Sequence, residues 1–296
     1  MTNGSEIDAV VAARVWAAVG AEPRTWTSLA HRGYTYTGRW IVHLADGRST
    51  FVKAAVDQQT AAWLRAEYRV YAAIHPPFLP RVVGWSDDGE LPVLLLEDLQ
   101  DAHWPPPWTP AHVDAVRRLL RDVAATTPPC GLGTLEDNRA ALQGWRDVEA
   151  DPAPFLHLGL CTRGWLASCL PALRAAADAA PLDGDALVHG DVRSDNICIR
   201  DGRAMLVDWN WAVAGNPLFD LVSWLPSLHA EGGPPPEQIL PGGAREITAL
   251  IAGYFAARAG LPIIPEAPRV RQVQLAQLRT ALPWAARALG LPPPVP

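Results

Sequence analysis

The chain has 296 residues, 49% of them hydrophobic, and a formal net charge of −6. This composition supports a large core and excludes a disordered chain, and the length allows two lobes. The acidic excess excludes the basic surface of nucleic-acid binders, so we expect no nucleic-acid partner. The four cysteines form no CxxC pair, no apolar run is long enough for a membrane span, and the N-terminus lacks a signal peptide. We therefore expect a cytoplasmic protein with no membrane partner.

The N-terminal third of the chain predicts a β-rich segment with two helices. Apolar spacing predicts one helix over 6–19, capped by Ser5, and another over 58–74 that ends at His75-Pro76-Pro77. Asp46-Gly47 lies between two β-prone runs and is a strong hairpin signal. Strands are predicted at 39–44, 49–55, 81–86 and 92–97.

Helical patterns dominate the rest of the chain, after a connector rich in proline and tryptophan. Helices are predicted at 110–126, 138–149, 161–179, 217–229, 243–259 and 267–289. Short strands are predicted at 186–188, 196–200 and 204–208, with a turn at Asp201-Gly202. The sequence thus predicts an α+β, two-lobed protein with a small β-rich N-lobe over 1–99, a hinge at 97–101 and a mostly helical C-lobe over 102–296.

Residues 187–221 contain the polar groups that phosphoryl transfer requires. Asp191, Asn196 and Asp208 lie at the ends of short apolar strands and supply two carboxylates and a carboxamide. Metal ions that clamp phosphates need hard oxygen ligands, and a separate carboxylate must accept the proton of the attacking hydroxyl. A lysine must also hold the non-transferred phosphates, and Lys53 is the only lysine in the chain. The spacing of these residues is typical of a kinase catalytic loop followed by its metal-binding aspartate.

This stretch resembles the signature of the aminoglycoside phosphotransferase family, which includes choline-kinase-like and homoserine-kinase-like enzymes. The family motif is His-Gly-Asp, four residues, Asn, and then a strand ending in Asp-Trp. The matching positions here are His189-Gly190-Asp191, Asn196, Asp208-Trp209, Gly215-Asn216-Pro217 and Phe219-Asp220-Leu221. The resemblance covers about residues 25–225 and implies a protein-kinase-like fold.

The resemblance implies a role for each of these C-lobe residues. Asp191 is implied as the catalytic base, and Asn196 and Asp208 as ligands of Mg²⁺. His189 and Asp220 are implied to orient and brace the catalytic loop. Candidate contacts with the acceptor are Arg193, Ser194, Asp195, Asn210 and Trp211.

The resemblance also implies how the N-lobe binds the nucleotide. Lys53 would contact the α- and β-phosphates and pair with Glu67, and the hinge residues Glu97-Asp98-Leu99 would bind the adenine edge. The phosphate-covering loop would lie near 31–38 and include Gly33, although this stretch lacks the G-x-G-x-x-G pattern. The choice between ATP and GTP therefore stays open.

The sequence predicts a phosphotransferase that moves the terminal phosphate of ATP or GTP to a hydroxyl of a small molecule. In family terms the acceptor is an antibiotic, an aminoglycoside or another natural product, and the function would be antibiotic resistance. Two alternatives stay open: a metabolite kinase for an amino alcohol, sugar or nucleoside, and a catalytically silent nucleotide-binding protein. The tryptophans of the C-lobe either stack on a ring-bearing acceptor or belong to the core, and the core is the favoured interpretation. The oligomeric state is open as well.

Overall fold

The computed structural model describes residues 7–29, 37–265 and 267–295. The chain divides into two compact units, Met1–Pro105 with Asp195–Ala212, and Pro106–Ser194 with Val213–Pro296. Residues 195–212, which the sequence assigned to the C-lobe, therefore belong to the first unit. Backbone hydrogen bonds explain this, because Ile199 exchanges two with His103 and the N–H of Leu206 donates to the carbonyl of Phe78.

The strands and helices follow in chain order. The strands are β1 (Pro23–Ser28), β2 (Gly38–Leu44), β3 (Ser49–Ala54), β4 (Val82–Ser86), β5 (Val93–Glu97), β6 (Ala186–Val188), β7 (Ile197–Arg200), β8 (Arg203–Leu206) and β9 (Val213–Gly215). The helices are α1 (Ala9–Val19), α2 (Gln58–Ala73), α3 (Pro110–Ala124), α4 (Arg139–Leu142), α5 (Gly144–Ala150), α6 (Ala153–His157), α7 (Arg163–Asp178), α8 (Leu218–Ala230), α9 (Pro236–Ile239), α10 (Arg245–Ala259) and α11 (Val270–Ala288). Short 3₁₀ turns occur at Glu136–Asn138, Ser194–Asn196 and Trp209–Trp211.

The first unit is built around an antiparallel five-stranded sheet in the order β1-β2-β3-β5-β4. The predicted hairpin at Asp46-Gly47 connects β2 and β3, and Gly47 adopts the positive φ of 85° that the turn requires. One face of the sheet packs on α1 through an apolar cluster that includes Val42, Leu44 and Val52. Because side chains alternate along a strand, the residues between these positions project from the opposite face.

Helix α1 begins later than the sequence predicted. Its first residue is Ala9, and the side chain of Asp8 accepts the backbone N–H of Val10 at 2.7 Å. Asp8 is therefore the N-cap in place of Ser5, which lies outside the described residues. The helix ends at Gly20 in the left-handed conformation.

Helix α2 starts with a capping box in which the side chains of Asp57 and Thr60 reciprocally bind backbone N–H groups. Its buried side chains include Leu64, Glu67 and Tyr71, spaced by three and four residues. This spacing places the carboxylate of Glu67 on the same buried face as apolar neighbours.

The second unit is mostly helical, with α10 in its core. Gly144 of α5 and Gly253 of α10 allow a close approach, because a Cβ on Gly144 would lie 2.0 Å from the Gly253 carbonyl oxygen. The predicted helix over 138–149 is broken into α4 and α5 at Gln143, whose backbone is non-helical and whose amide donates to the carbonyl of Ala177. Strand β9, which the sequence did not predict, pairs with β6. Among the described residues, no helix has the length and apolar content needed to cross a membrane.

Candidate active site

Lys53 is held at the centre of an ion-pair cluster in the first unit. It lies on β3 with only 7% of its side chain exposed, and its Nζ donates to Glu67 Oε2 and to Asp208 Oδ1, each at 2.6 Å. Burial alone would lower the lysine pKa, but the negative charges of Asp208 and Glu67 outweigh it and raise the pKa above its usual value. The ammonium group is therefore kept charged between two carboxylates.

Glu67 occupies the buried face of α2 and is 1% exposed. Its carboxylate accepts the Lys53 ammonium and, at 3.4 Å, the hydroxyl of Tyr71 one turn later on the helix. Burial raises the pKa of Glu67, and the charge of Lys53 opposes this rise. The predicted pairing of Lys53 with Glu67 is present in the structure.

Asp208 stands just after β8 and does not belong to the strand, which ends at Leu206 and not at 208 as predicted. Its backbone is left-handed, with φ 67° and ψ 56°, a conformation that non-glycine residues adopt rarely and mostly at special sites. The turn directs the carboxylate toward Lys53 and leaves a quarter of the side chain exposed. The amide nitrogen of Asn210, in its hydrogen-bonding orientation, donates to Asp208 Oδ1 at 3.0 Å, and its oxygen accepts from Trp211 Nε1 at 3.1 Å.

Asn196 lies at the other side of the same hairpin. Ile197 pairs with Leu206, and the carbonyl of Asn196 accepts the backbone N–H of Val207 at 3.0 Å. Asn196 and Asp208 therefore both flank the open end of β7 and β8 in the first unit. The turn at the closed end follows the prediction, because Asp201 and Gly202 both adopt positive φ.

The donor set at this hairpin fits a magnesium ion. Carboxylate and carboxamide oxygens are hard ligands, and Mg²⁺ usually takes one or two protein carboxylates and completes its shell with phosphates and water. In the described part of the chain, no group of three or more His, Cys, Asp or Glu side chains could hold a metal by itself. A site made by Asn196 and Asp208 would thus depend on the nucleotide for further ligands.

The hinge residues have well-defined partners within the first unit. The carboxylate of Glu97 accepts the backbone N–H of Arg81 and the guanidinium of Arg200, each at 2.8 Å. Burial would raise the pKa of Glu97, but the hydrogen bond from Arg200 and the other donors lower it. The carbonyl of Leu99 accepts Trp104 Nε1 at 3.0 Å. A nucleotide contact at Glu97 would consequently use its backbone, and Gly33 of the phosphate-covering loop lies outside the described residues.

The proposed base Asp191 lies in the second unit, on a loop braced from α8. The buried carboxylate of Asp220 accepts the backbone N–H of His189 at 2.7 Å and that of Gly190 at 2.9 Å. The backbone N–H of Asp191 in turn lies 3.2 Å from His189 Nδ1, which makes that nitrogen an acceptor. Burial raises the pKa of Asp220, and the hydrogen bonds from the two backbone N–H groups oppose the rise. Asp220 and His189 thus contact the backbone of this loop, and the bracing role implied by the resemblance stays a prediction.

Two further contacts define the end of this loop. Arg193 forms an ion pair with Asp191 at 3.1 Å. The hydroxyl of Ser194 donates to Glu231 at 2.6 Å, and the same carboxylate accepts Trp108 Nε1 at 2.9 Å. Glu231 was not singled out from the sequence, because it follows α8 with no motif around it and only the tertiary contact reveals it.

The remaining predicted acceptor residues belong to the first unit. Asp195 lies in the 3₁₀ turn before β7, and Trp211 is half exposed with its ring 6.1 Å from that of Trp63. In the second unit, Trp145 and Trp165 are buried and donate to backbone carbonyls, so they belong to the core. The first unit therefore brings together Lys53, Glu67, Asn196, Asp208, Asn210 and Trp211, and the second brings together Asp191, Arg193 and Ser194.

Comparison with known families agrees with this geometry. The model of the phosphotransferase enzyme family, APH, matches residues 31–263. This chain belongs to the APH phosphotransferase family. A search of curated protein sequences found no match.

Three solved structures share the fold of this chain. A thermostable mutant of aminoglycoside phosphotransferase APH(4)-Ia, in a ternary complex with AMP-PNP and hygromycin B, is 18% identical with a TM-score of 0.59 over 94% of this chain and 98% of that one. Amicoumacin kinase hAmiN, in complex with AMP-PNP, Ca²⁺ and its ligand Ami, is 12% identical with a TM-score of 0.57 over 93% and 91%. A choline/ethanolamine kinase family protein from Mesorhizobium loti is 14% identical with a TM-score of 0.56 over 90% and 91%. The protein-kinase-like fold, with a five-stranded N-lobe sheet and a helical C-lobe, is therefore confirmed.

Proposed function

We propose that this APH family member transfers the terminal phosphate of ATP or GTP to a hydroxyl group of a small molecule in a Mg²⁺-dependent reaction. The observation that carries the proposal is the buried cluster of Lys53, Glu67 and Asp208, with both nitrogen–oxygen distances at 2.6 Å. A lysine fixed between a helix glutamate and a metal-binding aspartate is the arrangement that an active kinase requires. A catalytically silent nucleotide-binding protein needs the same cluster to hold the phosphates, so the transfer assay described below distinguishes the two.

The first unit would bind the nucleotide. Lys53, oriented by Glu67, would hold the non-transferred phosphates, and the backbone of the hinge at Glu97 and Leu99 would bind the base. Asn196 and Asp208 would hold Mg²⁺, which when bound neutralises charge on the phosphate oxygens. Asp208 would then share its carboxylate between the metal and the ammonium group of Lys53, which donates to Oδ1.

The second unit would supply the base. Asp191 would accept the proton of the acceptor hydroxyl as the new oxygen–phosphorus bond forms and the bond to the leaving nucleoside diphosphate breaks. Arg193 would have to move from Asp191 or share it, because its guanidinium occupies one carboxylate oxygen. Ser194 and Asp195 are candidate contacts with the acceptor, as are Asn210 and Trp211 beside the proposed metal site.

The acceptor class is proposed from the structural relatives. Structures similar to this one contain hygromycin B or amicoumacin as ligands, which favours an antibiotic-like natural product. The alternative of a metabolite kinase is favoured by the similarity to a putative fructosamine-3-kinase from Haemophilus somnus, with a TM-score of 0.51, and to the choline/ethanolamine kinase family protein.

The four free cysteines are consistent with the cytoplasm, where nucleotides are available.

A substrate screen tests the proposal. Purified protein is incubated with Mg²⁺, ATP or GTP, and a panel of aminoglycosides, macrolides, amino alcohols, sugars and nucleosides, and a mass gain of one phosphate is sought. We expect Asp191→Asn to abolish transfer with little change in nucleotide affinity, and Asp208→Asn to lose Mg²⁺-dependent nucleotide binding. Asp185→Asn, an exposed aspartate of the same unit before β6, is the matched control. Wild-type turnover by Asp191→Asn would overturn the assigned base, and the absence of both nucleotide binding and transfer would overturn the function.

A further inference from the structure

Arg39 shares an unusual environment with Lys53. In the described ranges 7–29, 37–265 and 267–295, these two are the only buried lysine or arginine residues, with 8% and 5% of the whole residue exposed. Buried cations are rare unless a partner or a function retains them. The two are also direct neighbours, because Arg39 of β2 pairs with Lys53 of β3 across the sheet.

The sheet directs both side chains to the same side. Residues directly opposite each other on antiparallel strands point to one face, with Cβ atoms about 5 Å apart. The other face carries Val42, Val52 and Ala54, which pack with α1, so Arg39 and Lys53 face away from that cluster. Arg39 therefore lies on the face where Lys53 meets Glu67 and Asp208.

Two like charges opposite each other on a sheet are unfavourable, so the arrangement needs an explanation. Arginine remains protonated beside another cation, and its planar fork binds two oxygens of a phosphate at once. A second lysine at this position would lose its proton more easily.

Charge balance indicates the class of ligand. The formal charges of Arg39, Lys53, Glu67 and Asp208 sum to zero, and both carboxylates contact Lys53. If Asp208 takes up Mg²⁺, the cluster carries a net charge of about +2, and a polyphosphate chain with several negative charges balances it. A neutral or monoanionic ligand would leave positive charge buried.

We propose that Arg39 is a second phosphate-binding cation, which contacts the non-transferred phosphates of the nucleotide together with Lys53. The proposal rests on the nucleotide-dependent function above. Neither the catalytic motif nor the hinge includes Arg39. Its role would be to bind the diphosphate part of the donor, whatever the acceptor is.

Calorimetric titration of Arg39→Met with a series of ligands tests this role. The ligands are adenosine, AMP, ADP, AMP-PNP, their guanine counterparts and inorganic tripolyphosphate, each with and without Mg²⁺. We expect the nucleoside to bind the variant and wild type equally, and the diphosphate, triphosphate and tripolyphosphate to bind the variant at least about tenfold more weakly, since a charge-assisted hydrogen bond is lost. Arg39→Lys should restore part of the affinity, and Arg24→Met on the exposed side of β1 is the matched control.

Each other outcome contradicts the proposal in a recognisable way. Equal losses for nucleoside and diphosphate would mean that Arg39 shapes the base pocket. An unchanged affinity for every ligand would mean that Arg39 only balances the negative charge of Glu67. If Arg39→Met does not fold, the same ligands are compared with Arg39→Lys. The proposal is overturned if this variant changes the affinity for the nucleoside as much as that for the diphosphate, the triphosphate and tripolyphosphate. Tripolyphosphate distinguishes a failure of this proposal from a failure of the proposed function. If the protein binds tripolyphosphate through Arg39 but binds no nucleotide, the proposed function is overturned and the anion site remains.

Discussion

The replacement of Lys53 by methionine tests the energetics of the ion-pair cluster. The ammonium group lies 2.6 Å from both Glu67 and Asp208, and each contact amounts to ~6 kcal/mol of gross attraction at an effective dielectric of about 20. Most of this attraction offsets the cost of removing the charges from water, and breaking such a buried pair costs about 3–5 kcal/mol net. Asp208 is a quarter exposed, so water can hydrate it once the lysine is gone. We therefore expect Lys53→Met to lower the free energy of unfolding by about 3 kcal/mol, the lower end of this range.

A second substitution should reverse most of this loss. In Lys53→Met the carboxylate of Glu67 stays buried without its ammonium partner. The double variant Lys53→Met/Glu67→Leu removes that charge and fills the space with apolar atoms, so we expect its stability to return to within about 1 kcal/mol of wild type. Both variants should be inactive, so a recovery of stability cannot be attributed to a recovered ligand site.

The loss in Lys53→Met should also depend on pH. Burial holds the pKa of Glu67 above its ordinary value of 4.5, and more so once the lysine is gone. Between 4.5 and the raised pKa, the folded state binds more protons than the unfolded state, so stability falls as the pH rises through this window. The variant should therefore be closer to wild type at about pH 5 than at about pH 8.

The measurement is hydrogen exchange, followed by mass spectrometry on peptides of α2 and β3. It reports the free energy of local unfolding without assuming that the whole chain unfolds in two states. A loss of 3 kcal/mol predicts exchange about a hundredfold faster in Lys53→Met. The control is Arg65→Met on the same helix α2, which removes a partly exposed ion pair with Asp87 and should lower the free energy of unfolding by no more than about 1 kcal/mol. The reasoning fails if the double variant is no more stable than Lys53→Met at neutral pH.

Three other predictions concern the rest of the chain. Asp220→Ala should lower the free energy of unfolding by about 2–4 kcal/mol in thermal denaturation, because one buried and one partly buried backbone N–H group lose their acceptor. A smaller loss than in an exposed aspartate variant would contradict this. Glu231→Ala should lower kcat about tenfold with unchanged nucleotide affinity, because Ser194 loses its partner, and Glu231→Gln should keep part of the rate. A thiol reagent at about pH 8 should modify the exposed Cys130 quickly and the buried Cys198 only after unfolding. The reason is that burial raises the pKa of the Cys198 thiol to about 12. Peptide mass spectrometry distinguishes modification at the two sites.

The sequence predicted those parts of the molecule whose signals are local. The hairpin at Asp46-Gly47 and the turn at Asp201-Gly202 follow from residues that tolerate positive φ. The ion pair of Lys53 and Glu67 followed from a family resemblance and not from spacing, since 14 residues separate them. The roles of the site residues stay predictions until they are tested by substitution.

The features that the sequence missed depend on tertiary contacts. Strand β1 is rich in threonine and serine and has no distinct apolar pattern, and only its pairing with β2 defines it. Gln143 interrupts a helical pattern because its side chain is buried against α7. Glu231 and Arg39 lie outside any motif, and their importance depends on Ser194 and Lys53, which are distant in sequence.

The discontinuous first unit has a consequence for protein engineering. It consists of Met1–Pro105 and the inserted segment Asp195–Ala212, which contains Asn196 and Asp208. A gene fragment that stops at Pro105 would encode the five-stranded sheet without either proposed metal ligand. Chimaeras designed to change the acceptor should therefore take both segments from one parent, and exchange 106–194 and 213–296 from another.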